Sequence, residues 1–352
     1  MKLKWLKLEN FRNYDSLEID FTDSNLVALI GPNAQGKTNL LESIAFLALG
    51  KSFRARKSLE TLKWDRPHGR IKGAVDETEL EVFFQRSPEM KKVKTHGNVV
   101  PPKDFLGQLR IVLFTPEHLQ LISGSPRLRR QYLDRILVQI DRRYIEAIGT
   151  YQQILKQRNA LLKRIQNRQA KAWELEIWDA RLITEAQIIW EKREALLTYL
   201  KDHLTELYQE ISGSKEKLKI VSQTHSDRYE EKLIAHQDSD IRMGNTTLGP
   251  HRDDFTIYIE NRPLAVTGSR GECRSAVLAM KIAEIRYMQE QTGSRPLLLL
   301  DDVFSELDHS RQNKLGTLLG DYQCIITTTS KTHVKDLKDI KCYTVEKGSL
   351  TG

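Results

Sequence analysis

The chain has 352 residues, 39% hydrophobic and 29% charged, with 55 Lys and Arg against 47 Asp and Glu for a formal net charge of +8. This is globular composition with ample core material. No apolar run approaches the roughly 18 residues of a membrane span, and the charged start at Met1–Trp5 lacks the apolar stretch of a secretory leader. The cysteines Cys273, Cys324 and Cys342 are far apart and show no metal-ligand spacing, so a reduced, cytoplasmic protein is expected.

Leu17, Ile19 and Phe21 alternate, which is the period of a half-buried strand. Leu26–Ile30 is continuously apolar, as in a central strand buried on both faces, and it runs directly into Gly31. Leu40, Leu41, Ile44, Leu47 and Ala48 then follow helical spacing, with Gly50 as a stop signal. Leu80, Val82 and Phe84 alternate again. The texture changes near Pro116. Over 127–211 the pattern is helical, with Leu133, Leu137, Ile140, Tyr144 and Ile148 on one face. Strand signals return near Leu248, and Phe255, Ile257 and Ile259 alternate before a turn at Asn261-Arg262-Pro263. A helix from about Gly271, a buried strand at 297–300, a second helix and a strand at Cys324–Thr328 follow. The expected fold is a discontinuous α/β domain, 1–115 with 241–352, interrupted by a helical insertion at 116–240.

Gly31-Pro32-Asn33-Ala34-Gln35-Gly36-Lys37-Thr38 matches the phosphate-binding loop G-x-x-x-x-G-K-[ST]. The glycines let the backbone turn its N–H groups onto phosphate oxygens. Lys37 supplies a cation to the β- and γ-phosphates, and the Thr38 hydroxyl can hold Mg²⁺. The buried strand before the loop and the apolar-faced helix after it argue against a chance glycine-rich turn. Leu297-Leu298-Leu299-Leu300-Asp301-Asp302 is an apolar strand ending in two carboxylates, the Walker B arrangement. Asp301 is the candidate Mg²⁺ ligand, and Asp302 the candidate base orienting an attacking water. Such a strand alone is often only a turn entry; paired with the loop upstream, it marks a nucleoside triphosphatase.

Ser269-Arg270-Gly271-Glu272 before a helix carrying Ala276, Met280, Ala283 and Tyr287 resembles a variant of the ABC signature, whose usual core is Ser-Gly-Gly-Gln. Ser305-Glu306-Leu307-Asp308 resembles the D-loop. The order of these motifs is that of an ABC-type P-loop ATPase head. Asn10-Phe11-Arg12-Asn13-Tyr14, Gly31 through Leu41, Gly50-Lys51-Ser52-Phe53-Arg54, Leu248 through Asp254 and Leu299 through Asp308 together resemble the RecF family. The resemblance implies a head related to SMC-type ATPases that dimerises on ATP. It also implies DNA binding at gaps or duplex–single-strand junctions, and recombinase loading with RecO and RecR in repair, replication restart and the SOS response. In such a homodimer ATP lies between subunits, with Ser269 and Gly271 touching the γ-phosphate in trans and Arg12 and Asn13 bordering the nucleotide. ATPase activity would be that of a slow, DNA-stimulated switch.

Two features depart from the ABC pattern. Thr327-Thr328-Thr329-Ser330 stands where transporter ATPases carry a switch histidine, with His333 too far along, and the Q-loop glutamine is either Gln108 or Gln120. Basic clusters lie at Lys51, Arg54, Arg56 and Lys57, at Arg127, Arg129, Arg130 and Arg135, and at Lys156, Arg158, Lys163, Arg164, Arg168 and Lys171. Each is either a solvated face or a DNA contact; Lys51, Arg54, Arg56, Lys163, Arg164 and Arg168 are the DNA candidates, for duplex and single strand alike. Arg252, Asp253 and Asp254 read as structural pairs, and His251 has no visible metal-ligating partner. A transporter's nucleotide-binding subunit, an SMC-like clamp head and a nuclease-complex head are the competing functions. The odd signature and basic helical insertion weigh against the transporter.

Overall fold

The computed structural model describes residues 1–352, the Glu306 side chain excepted. The chain forms two compact units, residues 1–118 with 284–352, and residues 119–283.

The first unit contains two six-stranded sheets. In one, the order is Ser349–Thr351, Ile340–Glu346, Leu26–Ile30, Cys324–Thr328, Leu297–Asp301, Ile111–Phe114. All its pairings are parallel except that of the outermost Ser349–Thr351. The other sheet is antiparallel and starts from Leu3–Phe11 paired with Tyr14–Asp20 and with His68–Val75. Between them lies the helix Lys37–Leu49, apolar on nearly every side and buried accordingly. Its Leu40, Ile44 and Phe46 share one core with Leu6, Ile71 and Phe84 of the antiparallel sheet and with Val27, Leu299 and Ile325 of the parallel one. Phe46 stacks on Phe84 at 5.5 Å and meets Phe11 edge-on at 6.2 Å. Gly50, at φ 63°, closes the helix by donating its N–H to the carbonyl of Phe46. The N-terminus of this helix is thereby held rigidly from both sides.

The second unit departs from the sequence expectation in three places. The helical run breaks at Asp141, which ends Pro126–Ile140 and caps Arg142–Gln166 by accepting from the amide of Tyr144 at 2.9 Å. A strand at Leu218–Gln223 stands where helix or loop was expected. The alternating strand Asp254–Ile259 pairs with it, Ile257 opposite Ile220, so it belongs to this unit's small sheet and not to the nucleotide-binding one. For that reason the second junction falls at 283/284 and not at 240/241.

Arg142–Gln166 and the 37-residue helix Glu176–Ser212 are tied to residues 240–254 by buried charge. Arg158, fully buried, donates to Asp179 at 2.5 Å, to Asp240 at 2.6 Å and to Thr246 at 2.8 Å. Arg193 donates to Asp134 at 2.8 Å and to the carbonyl of Pro250 at 2.7 Å, while Trp190 donates to Asp253 at 2.6 Å. Arg129 holds Asp254 with two hydrogen bonds, and Arg130 donates to the Asp253 carbonyl. His251 lies between the Tyr151 hydroxyl and the Thr246 carbonyl, and burial pulls its pKa down to about 4. Segment 248–254 is therefore a structural knot. Arg129, a member of a basic cluster in the sequence, is spent inside it, and Arg158, a member of another, is spent on Asp179, Asp240 and Thr246. Among the described residues no helix is long and apolar enough to cross a membrane.

Removing one partner of a buried ion network leaves the others unpaired away from water. Arg158→Ala should therefore destabilise the chain by about 3–5 kcal/mol, whereas Lys163→Ala, on the exposed side of the same helix, should stay within about 0.5 kcal/mol. Urea denaturation of both variants checks this; equal effects would mean the network contributes nothing specific.

Candidate nucleotide-binding site

The parallel strand Leu26–Ile30 pairs on both sides and delivers the chain to the loop 31–36 at the sheet's C-terminal edge, where ligands of open α/β sheets bind. Two residues there take left-handed backbone conformations, Ala34 at φ 65° and Gly36 at φ 118°. At Gly36 only glycine fits, since a Cβ would lie 2.5 Å from Nδ2 of Asn13. The resulting curl of N–H groups at a helix N-terminus is an anion cradle. It is braced from behind. Asn13 donates to the Gln35 carbonyl at 3.0 Å and accepts from Asn39 at 2.8 Å, and Tyr14 donates to the Gly36 carbonyl at 3.0 Å. The Gln35 side chain accepts from the Lys347 amide at 2.8 Å.

Lys37 folds back over the loop and donates to the carbonyls of Gly31 at 2.6 Å and Pro32 at 2.7 Å. Burial lowers its pKa, and the carboxylates of Asp302 and Asp301 oppose that shift. Oδ1 of Asp301 accepts from Thr38 at 2.8 Å and from Thr327 at 2.7 Å. Burial raises the Asp301 pKa, with the Glu117 carboxylate adding to the shift and Arg54 working against it. Asp302 takes φ 52°, held there by its amide donating to Thr327 Oγ1 at 2.9 Å. Its Oδ1 is buried and has no hydrogen-bond partner.

Lys37, Thr38, Asp301 and Asp302 thus meet in one cleft of about 330 Å³, together with Asn33, Ala34 and Gly36. Other sequence candidates sit elsewhere. Gly31 and Pro32 serve the cleft through the carbonyls that hold Lys37. Gln35 and Asn13 stand behind the loop. Arg12 does not line the cleft: its guanidinium grips the fully buried Glu42 at 2.9 and 2.7 Å. Arg54, a DNA candidate by sequence, lines the cleft and donates to Asn39 at 3.1 Å. Gln108 and Gln120 do not line it. Pro116 and Glu117 do. Leu300 pairs with Phe114, so the chain leaves that strand beside Asp301, and an acidic residue three positions after an apolar run was the signal to read. Thr327 was likewise missed as a partner of both aspartates. His333 bonds Thr328 at 2.8 Å and lies outside the cleft.

Ser269 and Gly271 lie at the start of the helix Arg270–Thr292. The Ser269 hydroxyl accepts from the Glu272 amide at 3.2 Å, and the Glu272 carboxylate accepts from the Ser269 amide at 2.6 Å. This reciprocal capping box satisfies two of the amides at the helix start and fixes Ser269 in place. After Asp302, Asp308 caps the helix His309–Leu319 by accepting from the Arg311 amide at 3.0 Å, while the Glu306 side chain lies outside the described residues.

The donor set fits a nucleoside triphosphate with a divalent cation. Three carboxylates (Asp301, Asp302 and Glu117) face two cations (Lys37 and Arg54), beside amides that attract further negative charge. A polyphosphate at the amides needs a metal on the carboxylate side, and Thr38 with Asp301 offers adjoining hard oxygen ligands for Mg²⁺, which would neutralise phosphate charge there. Asp302 lines the same cleft with one buried carboxylate oxygen that has no hydrogen-bond partner.

The family model for the RecF/RecN/SMC N terminal domain matches residues 2–351. The DNA replication and repair protein RecF of Lactococcus lactis subsp. lactis (strain IL1403) is 38% identical over 356 residues, covering 99% of each chain. A solved structure of the recombination mediator protein RecF with ATP, in the RecFOR pathway, is 32% identical with a TM-score of 0.91, covering 99% of this chain and 96% of that one. The Smc head domain of Pyrococcus furiosus is 16% identical with a TM-score of 0.58 over 99% and 95%, a likeness of fold.

Two substitutions separate binding from turnover. Lys37→Met removes the phosphate-facing charge and keeps the side-chain volume, so the fold should persist and triphosphate binding should be lost. Asp302→Asn keeps size and hydrogen bonding, so binding should persist while single-turnover hydrolysis falls at least about a hundredfold, the lower end of what a positioned general base contributes. An Asp302→Asn protein that hydrolyses at the wild-type rate would remove Asp302 from the chemistry.

Proposed function

The chain belongs to the RecF family, and from that premise we propose that it is an ATP-dependent, DNA-binding recombination mediator of the RecFOR type. The single observation that carries the ATP part is the meeting of Lys37, Thr38 and Asp301 around the loop 31–36, with the Asp302 carboxylate oxygen left free beside them. ATP with Mg²⁺ would occupy this cleft. Ser269 and Gly271, at a capped helix N-terminus, would complete the site from a second copy, making the closed form a homodimer.

Hydrolysis in this reading is a timer. Asp302 is one methylene shorter than the glutamate most ABC ATPases carry, so its carboxylate reaches less far toward an attacking water. The segment after Cys324–Thr328 offers no imidazole to the cleft, since His333 is engaged with Thr328. Slow turnover suits a loader that stays on DNA at a gap or junction until RecO, RecR and recombinase arrive.

DNA would be held through phosphates, without base readout. Lys163, Arg164 and Arg168 are exposed around the end of Arg142–Gln166, as are Lys51 and Arg56 in the first unit, which supports contact there. The test is DNA affinity against salt in the presence of ATP. The logarithmic slope should be about −0.9 per phosphate neutralised on duplex, and replacing Lys163, Arg164 and Arg168 together by Ala should weaken binding on all sequences alike and flatten it. An unchanged slope would return that stretch to an ordinary solvated face.

A further inference from the structure

We infer that Trp64 is a stacking platform for an unpaired DNA base, giving the chain a preference for strand ends and single-strand junctions over continuous duplex. The inference rests on the DNA-binding reading above and adds to it the residue that tells one DNA structure from another.

Trp64 is 86% exposed, the highest value among the exposed large hydrophobic side chains of the described residues. A lone exposed apolar residue is ordinary, but this one is held on a fixed turn. Lys63 and Arg66, on either side of it, both bind the carboxylate of Asp15, the second at 3.1 Å. The Lys63 amide donates to the Asn10 carbonyl at 3.0 Å, and Leu62, buried, bridges to Phe11. Asp65 follows in a left-handed conformation at φ 59°. The backbone and both flanking side chains are thus tied down while the indole between them is left in water. A ring presented this way loses little freedom on binding.

The surrounding charge selects the partner. Residues 51–70 hold seven basic side chains and two acidic ones; Lys63 and Arg66 are paired with Asp15, Arg54 with Glu42 and Arg70 with Glu9 and Glu81, which leaves the charge of the segment to Lys51, Arg56 and Lys57. Arg54 is turned into the nucleotide cleft, but Arg56 and Lys57 are exposed. Arg86, also exposed, is brought alongside by its amide donating to the Pro67 carbonyl at 2.9 Å. An aromatic face set among cations is the combination that binds single strands, with phosphates held by charge and a base by its π-face, whatever its identity. Bases inside a duplex are already stacked on both sides and cannot take up the ring, whereas an end, a flap or a gap offers a free face. The neighbouring cations cannot make this distinction, since duplex and single strand both carry phosphates.

The experiment uses the full chain with ATP and three fluorescent DNAs: a covalently closed circular duplex, the same circle carrying a single-stranded gap, and a free oligothymidine. Trp64→Ala should lower affinity for the gapped and single-stranded DNAs about tenfold, within the range of one base–aromatic stack, and leave the closed circle within about twofold. Its salt slope should stay unchanged, because no phosphate contact is removed. Trp64→Phe, which keeps a π-face, should retain most of the preference. Equal losses on all three DNAs, or affinities equal to wild type on all three, would overturn the inference while leaving DNA binding standing. A Trp64→Ala protein with weakened ATP-dependent self-association and normal DNA preference would also overturn it, making the turn a protein contact. Failure of the wild-type protein to bind any of the three would instead sink the DNA-binding reading itself.

Discussion

Oδ1 of Asp301 accepts hydrogen bonds from Thr38 and Thr327, and through it three strands and one helix are brought to a common point. Thr38 opens the helix Lys37–Leu49, Thr327 closes the strand Cys324–Thr328, and Asp301 itself ends Leu297–Asp301. The loop 31–36 joins the third strand to that helix, so the phosphate cradle has nowhere to move. The neighbouring elements add to the constraint from the other side. Thr327 also fixes the left-handed turn at Asp302, and the antiparallel sheet presses on the helix through Phe11, Phe46 and Phe84. The consequence is a site whose charges are arranged before any ligand arrives, with burial already raising the pKa of Asp301 and lowering that of Lys37. A polyphosphate bound with a metal would offset both shifts together.

The second unit adds buried ions to its apolar core, in which Ile189, Leu196, Leu200 and Leu204 of the long helix and Phe255 and Ile257 of the small sheet are buried. Arg158 and Arg193 are buried at the centre of carboxylates drawn from distant segments, and the network closes only when residues 240–254 pack against the long helices. A cleft of about 290 Å³ beside it is lined by Arg130, Trp190, Arg193 and Asp253, whose polar groups are already bound to one another. It offers no unspent chemistry.

What was legible in the sequence was local. The loop 31–38 and the Asp301-Asp302 pair are contiguous motifs flanked by buried strands, and the structure brings them together as their chemistry requires. What escaped depended on partners remote in the chain. Leu218–Gln223 is a strand only because Asp254–Ile259 pairs with it, and misreading that pair moved the second junction. Asp141 breaks a helix whose apolar face continues across the break, so periodicity alone could not see it. Arg12, Arg54, Arg129 and Arg158 are alike in the sequence, and only tertiary contacts sort them onto Glu42, the nucleotide cleft, Asp254 and Asp240. Glu117 was visible as an acidic residue after an apolar run, but its role appears only once Ile111–Phe114 lies beside Leu297–Asp301.

The central claim is that this cleft is half of a composite site completed by Ser269 of a second copy. The direct measurement is single-turnover ATP hydrolysis by Ser269→Arg protein, by Lys37→Met protein, and by their equimolar mixture. Ser269→Arg alone should bind ATP normally as a monomer yet fail to hydrolyse it, because a bulky cation blocks closure and not the cradle. Lys37→Met alone should fail at binding. The mixture should regain hydrolysis, since a mixed dimer joins the intact cradle of one copy to the intact Ser269 of the other. Recovery in the mixture is the predicted result. Wild-type hydrolysis by Ser269→Arg alone, or loss of its monomer ATP binding, would contradict the composite site.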